Sequence, residues 1–159
     1  MSIELLISSS TNHNYQINSG LEAISVTANA SGFTTMNAIL DEKNIQENVA
    51  LANFVNKSED IYFLEREHSP SIILVPKIFC SRFGSETTKK IIDLCYHKKI
   101  NTLYFSHFEF IKKKFPIELV SEIVKEFRDA RLINHNLSVF FQIDESFKRQ
   151  MENLLRSEI

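Results

Sequence analysis

The chain has 159 residues, 43% of them hydrophobic and 24% charged, with a formal net charge of −2. That balance is ordinary globular chemistry; it predicts one domain over residues 1–159 with a substantial core and excludes a disordered or low-complexity chain. No apolar run approaches the roughly 20 residues of a bilayer-spanning helix, and Met1-Ser2-Ile3 opens into a strand-like segment rather than a charged leader, so the expectation is a soluble, cytoplasmic protein with no membrane partner.

Ile3-Glu4-Leu5-Leu6-Ile7 reads as a first strand, and Ser8 to Gly20 as a polar loop. Leu21-Glu22-Ala23-Ile24-Ser25-Val26 predicts a second strand, ending at Thr27-Ala28-Asn29. Ser31-Gly32 breaks the chain, and Thr34 or Thr35 can cap a helix that begins near Met36. Helical spacing continues, with an interruption near Asp41–Asn44, through Val49, Leu51, Ala52, Phe54 and Val55.

Ile61-Tyr62-Phe63-Leu64 and Ile72-Ile73-Leu74-Val75 are two further strands, separated by the turn signal His68-Ser69-Pro70. Gly84-Ser85 precedes a helix whose buried face includes Ile91, Ile92, Leu94 and Cys95. Thr102-Leu103-Tyr104-Phe105 is a short aromatic and apolar run suited to a buried strand. Pro116 sits where a first helical turn tolerates a missing N–H, and Ile117, Val120, Ile123, Val124 and Phe127 follow at helical spacing. Leu137-Ser138-Val139-Phe140-Phe141 predicts a last strand; a helix capped by Asp144 runs on through Met151, Leu154 and Leu155. Strands alternating with helices imply an α/β protein, a three-layer α/β/α sandwich with a mixed central sheet and Thr102–Phe105 in its interior.

The order and wording of these elements resemble the macrodomain family, whose members bind ADP-ribose and related nucleotides. Glu22-Ala23-Ile24-Ser25-Val26-Thr27-Ala28-Asn29 is similar to the family's Asp-Ala-Ile-Val-Asn-Ala-Ala-Asn segment. Thr102 to Pro116 lies without a gap on its Ser-Ile-Ala-Phe-Pro strand, Ser-Thr-Gly-x-x-Gly loop and Tyr-Pro helix start. The helix from Leu94 into that strand and the closing run Val139–Glu145 also fit, so the resemblance covers nearly the whole chain in element order. It implies a pocket between the 29–36 and 106–114 loops, with Asn29 in the place of the ribose-binding asparagine. The ligand-binding set it implies is Asn29, Gly32, Thr34, Thr35, Ser106, His107, Phe108, Glu109, Phe110, Ile111, Lys112 and Lys113.

The chain departs from the family inside that pocket. The family's first phosphate loop is a glycine run, because backbone N–H groups must approach the anion with no side chain intervening. Here Asn29 to Ile39 holds Gly32 alone, over a shorter connection. In the second loop the family's glycines fall on Ile111 and Lys114, and the acidic residue that reads adenine has no counterpart near Ser8–Thr11. An ordinary reading stands beside each functional one. Asn29 is also a common turn former, Lys112–Lys114 a solvated loop, and Phe108 and Phe110 are core rings as readily as stacking platforms for a base.

Charge and nucleophiles narrow the choice. Residues 1–70 carry three basic and nine acidic side chains, and 71–159 carry fifteen and eleven. The basic excess in the second part, densest from Arg82 to Lys114, suits either a solvated face or an anionic ligand. Cys95-x-His97 has no second ligand pair at metal spacing, and His13, His68, His97, His107 and His135 form no ligand motif; no metal and no cofactor are expected. Ser8, Ser9 and Ser10 have no assignable base, and neither a Walker loop nor a dinucleotide fingerprint occurs. Two functions follow: a divergent macrodomain-like module that binds or senses an ADP-ribose-like nucleotide without hydrolysing it, or a pseudo-macrodomain that binds a protein or nucleic-acid partner.

Overall fold

The computed structural model describes residues 2–7, 22–29, 36, 40, 45–66, 70–80, 85–105, 117–130, 137–143 and 145–157. Its strands are β1 (Ser2–Ile7), β2 (Glu22–Thr27), β3 (Tyr62–Leu64), β4 (Ser71–Val75), β5 (Thr102–Phe105) and β6 (Ser138–Ile143). The helices are α1 (Ile45–Ser58), α2 (Lys77–Cys80), α3 (Ser85–His97), α4 (Ile117–Asp129) and α5 (Lys148–Ser157), the last led by a 3-10 turn at Glu145–Phe147. The predicted strands and the helices at 85–97, 117–129 and 148–157 stand where the sequence puts them. The four-residue α2 and the 3-10 turn escape a periodicity reading because neither is long enough to show one. The 8–20 loop, His68-Ser69, Pro116 and the Asp144 cap lie outside the described residues.

The six strands form one mixed sheet in the order β1-β6-β5-β2-β4-β3. All neighbours are parallel except β3, which runs antiparallel to β4. β5 is interior, as expected, and Leu103 and Phe105 are fully buried. β2 lies between β5 and β4, and Ala23 through Val26 are buried on both faces, which is why its sequence is a nearly unbroken small and apolar run.

The two faces carry separate cores. On one, Ala23, Ile73, Val75, Leu103, Phe105, Val139 and Phe141 meet α3, α4 and α5 through Ile91, Cys95, Ile123, Val124, Phe127 and Met151. Its centre is three rings in edge-to-face contact: Phe105 and Phe127 at 5.2 Å, Phe127 and Phe141 at 5.3 Å, Phe105 and Phe141 at 5.9 Å. Arg128 of α4 donates from Nη2 to the carbonyl of Leu155, tying α4 to α5. On the other face Ile24, Val26, Ile72, Leu74 and Tyr104 meet Met36, Leu40 and α1 through Ala52 and Val55. The Leu40 N–H donates to the Met36 carbonyl at 2.9 Å, the i to i−4 bond of a helical turn at the predicted place.

Two helix ends use non-glycine residues in the left-handed region. Glu59 (φ 56°) follows α1 and Lys99 (φ 57°) follows α3. At α3 the Ile100 N–H donates to Cys95 O at 2.9 Å and the Lys99 N–H to Tyr96 O at 3.3 Å, a Schellman closure with Ile100 buried beneath it. Lys99→Gly is therefore expected to raise stability by about 1 kcal/mol, read as an upward shift of the urea midpoint at unchanged slope. Burial pushes the Cys95 thiol from 9.0 up to about 12. The folded state holds that proton more tightly than the unfolded state, so its contribution is intact below about pH 9 and falls as pH rises toward 12. In a Cys80→Ser background, alkylation of Cys95 at pH 8–9 is expected to follow global unfolding; rapid labelling of the native protein would contradict the burial.

Candidate functional site

Adjacent parallel strands whose connections leave toward opposite faces open a crevice at their carboxyl ends. β2 and β5 are such a pair, in register from Glu22↔Thr102 to Ser25↔Phe105. The chain after β2 returns over the α1 face, where Met36 and Leu40 pack; the chain after β5 reaches α4 on the other face, where Ile123 and Phe127 pack. Val26 to Asn29 carry β2 on toward the same carboxyl edge at which Phe105 stands.

On the other side of β2 the connections to β4 also diverge, but there the gap is closed. The Ala28 N–H donates to Val75 O at 2.9 Å, extending the ladder beyond the strand. Asn56, in the last turn of α1, donates from Nδ2 to Ala28 O at 2.9 Å and accepts at Oδ1 from the Lys77 N–H at 2.8 Å. One amide side chain thus joins the carboxyl ends of β2 and β4 to the start of α2. Both backbone groups of Ala28 are engaged, and the next residue, half-buried Asn29, turns tightly with its N–H donating to Thr27 O at 2.8 Å. The closure seen among the described residues is thus on the β4 side of β2.

Of the sequence-predicted site residues, Asn29 is described, at the carboxyl edge of β2. Gly32, Thr34, Thr35, Ser106, His107, Phe108, Glu109, Phe110, Ile111, Lys112 and Lys113 lie outside the described residues, though Phe105, which leads into the second group, ends on the same edge. Asn56 was missed by sequence reasoning. Its partners lie 28 and 21 residues away, and an Asn near a helix end carries no local mark of such a bridge.

Other polar groups fall away from this edge. Glu22 is buried at the amino end of β2, and Tyr104 stacks on Phe140 at 5.3 Å; burial and then the nearby Glu22 carboxylate raise the phenol's pKa. Cys95 is buried and His97 exposed, on opposite sides of α3; His97 Nδ1 sits 3.0 Å from the Asp93 carbonyl, which only accepts, so Nδ1 carries the proton. Among the described residues no group of three or more His, Cys, Asp or Glu is placed to hold a metal ion. An open groove of about 590 Å³ lies between Asp60-Ile61 and α3, flanked by Lys90 and Lys98, whose ammoniums rest over Phe79 (4.8 Å) and Phe63 (5.3 Å). Among the described residues no helix is long and apolar enough to cross a membrane.

The architecture has solved counterparts. A point mutant of the Oceanobacillus iheyensis macrodomain superposes with a TM-score of 0.64 at 14% identity, over 99% of this chain and 94% of that one. This fold is a macrodomain fold. The macrodomain of Thermus aquaticus DarG matches with a TM-score of 0.56 at 11% identity, over 89% of this chain and 97% of that one. Comparison of the sequence with protein-family models and with curated proteins gives no match. The macrodomain fold is thus carried by element order and buried strands, at identities too low to speak for side chains at the site.

The Asn56 bridge gives a direct test of how the edge is held. Asn56→Ala is expected to cost about 1–3 kcal/mol in urea unfolding, since two backbone groups lose their partner. Hydrogen exchange at the Lys77 amide should speed up roughly tenfold while amides of β5 hold their protection.

Proposed function

We propose that this chain is a single, cytoplasmic macrodomain-like module that binds or senses an ADP-ribose-like nucleotide and does not hydrolyse it. The observation that supports the reading is the β2–β5 pair: two adjacent parallel strands with connections to opposite faces, and Asn29 at the carboxyl edge of one. Asn29 contacts the ribose, with Gly32, Thr34 and Thr35 forming one lip and the stretch from Ser106 to Lys113 the other. Phe108 or Phe110 stacks on the base, while Lys112 and Lys113 hold phosphate as mobile point charges in place of lost backbone amides.

Binding and hydrolysis make different demands on those loops. Hydrolysis needs a water and the ribose fixed within hydrogen-bond reach, and a misplacement of about 1 Å can cost roughly a hundredfold in rate. Loops with Gly32 as their one glycine and three consecutive lysines tolerate a range of phosphate positions but do not fix one. The second reading, a pseudo-macrodomain that binds a protein or nucleic-acid partner, draws on the basic excess of residues 71–159. The net charge of −2 argues against strong nonspecific nucleic-acid affinity.

Titration with ADP-ribose, followed by backbone resonances at two salt concentrations, is expected to perturb residues 26–29 and 105 and to weaken at the higher salt. Asn29→Ala should lower affinity roughly tenfold, the loss of one good hydrogen bond to ligand. Incubation with an ADP-ribosylated substrate should release no ADP-ribose. Perturbations confined to the amino ends of the strands would overturn the placement, and rapid release abolished by Asn29→Ala would overturn the non-enzymatic reading. Silence at both salts would favour the partner-binding alternative.

A further inference from the structure

Asn56 does more than close the β4 side of β2. The peptide unit that joins Ala28 to Asn29 is a single plane, with the Ala28 carbonyl on one edge and the Asn29 N–H on the other. Both polar groups of that plane are engaged, and from different directions. The carbonyl accepts from Asn56 Nδ2 at 2.9 Å, and the N–H donates to Thr27 O at 2.8 Å. The second contact is local, so it moves with the turn it belongs to and anchors nothing outside it. The bond from Asn56 comes from a helix 28 residues further along the chain, and it does anchor the plane.

That anchor is itself held. Ala52 and Val55, on the same turn of α1, are buried in the core with Ile24, Val26 and Leu74. Ser58 Oγ donates to Val55 O at 2.9 Å at the end of the helix. The Lys77 N–H donates to Asn56 Oδ1 at 2.8 Å, and a backbone N–H can be met only by the oxygen of a side-chain amide. The amide is thereby oriented with its nitrogen toward Ala28. Asn carries a donor and an acceptor on one planar group; Asp, of the same shape, lacks the donor.

We propose that Asn56 is a positioning residue for the nucleotide site: by fixing the Ala28–Asn29 peptide it sets how the chain presents Asn29. The proposal rests on the reading of Asn29 as a ribose contact. Asn56 acts through Asn29 and not on the ligand, because its own partners are backbone groups of Ala28 and Lys77. What it supplies is preorganisation. A binding group already held in place loses little freedom when ligand arrives, whereas one on a peptide that can turn must be ordered first, which weakens binding.

Calorimetric titration of four proteins with ADP-ribose tests this: wild type, Asn56→Asp, Asn29→Ala and the double variant. In Asn56→Asp a carboxylate oxygen still accepts from the Lys77 N–H, so that amide should keep its protection from hydrogen exchange. The other oxygen cannot donate to Ala28 O and repels it. Affinity should fall roughly fivefold or more, the loss of one positioned hydrogen bond. Because Asn56 works through Asn29, the double variant should bind no more weakly than Asn29→Ala alone. A residue that only stiffened the fold would leave affinity unchanged or weaken both backgrounds alike. Asn56→Asp at wild-type affinity, or losses that add in the double variant, would therefore overturn the positioning role alone. Wild-type protein that binds no ADP-ribose would overturn the nucleotide reading and this proposal with it. Thermal melts check folding; should Asn56→Asp not fold, Asn56→Ala takes its place in the cycle with the same loss and the same non-additivity expected.

Discussion

The parallel pairing of β2 on both sides is the constraint from which the rest of the structure follows. A strand with parallel neighbours needs crossover connections, and those connections must cover both faces of the sheet. Ala23 and Ile24 answer that demand in opposite directions, the first into the core of α3, α4 and α5, the second into the core of α1. Because neighbouring chains leave β2 and β5 toward different faces, the crevice at their carboxyl ends is a by-product of topology, made before any ligand chemistry is specified. The candidate site is thus placed by burial and not by the residues that would touch a ligand.

The β4 side of β2 shows how diverging chain ends are sealed. Toward β4, the Ala28–Val75 bond and the Asn56 bridge consume the backbone groups that the diverging chains would otherwise leave exposed. Toward β5, the strands stay in register as far as Ser25↔Phe105, the last described residue there. Beneath that end the Phe105–Phe127–Phe141 cluster holds β5 against α4 and β6. The loops that follow β2 and β5 thus start from a packed and hydrogen-bonded scaffold. Binding residues commonly sit in such loops, because a scaffold carries the stability they do not.

How much of this could be read in advance depended on the range of the interaction concerned. Thr102–Phe105 and Ile72–Val75 were legible as buried strands because burial on both faces leaves its mark in adjacent residues. Ile123, Val124 and Phe127 were legible because a helix on a sheet repeats its apolar face every turn. The short edge strand at Tyr62–Leu64 was found for the same local reason, although nothing local says that it runs antiparallel. The Asn56 bridge, the Arg128 tie to Leu155 and the Schellman closure at Lys99 were not legible. The first two join residues far apart in sequence, and the third uses lysine where glycine would have announced the turn. Of the candidate site, the place of Asn29 at the end of β2 and the adjacency of β2 and β5 could be read, because both depend on strand order.

Resemblance to macrodomains survives here at 14% and 11% identity because fold and site draw on separate residues. Any small or branched apolar side chain satisfies the interior of β2, so Ala23-Ile24-Ser25-Val26 can drift in wording while keeping its pattern. A phosphate loop has no such latitude. It needs backbone N–H groups unobstructed by a Cβ, and a residue such as Lys or Ile in place of glycine removes that geometry at once. Sequence change therefore accumulates silently in the sheet but alters chemistry abruptly at the strand ends. A chain can then share a whole architecture with its structural counterparts and still differ from them in chemistry at the strand ends. The burial pattern and the glycine pattern are independent records, and the described residues carry the first.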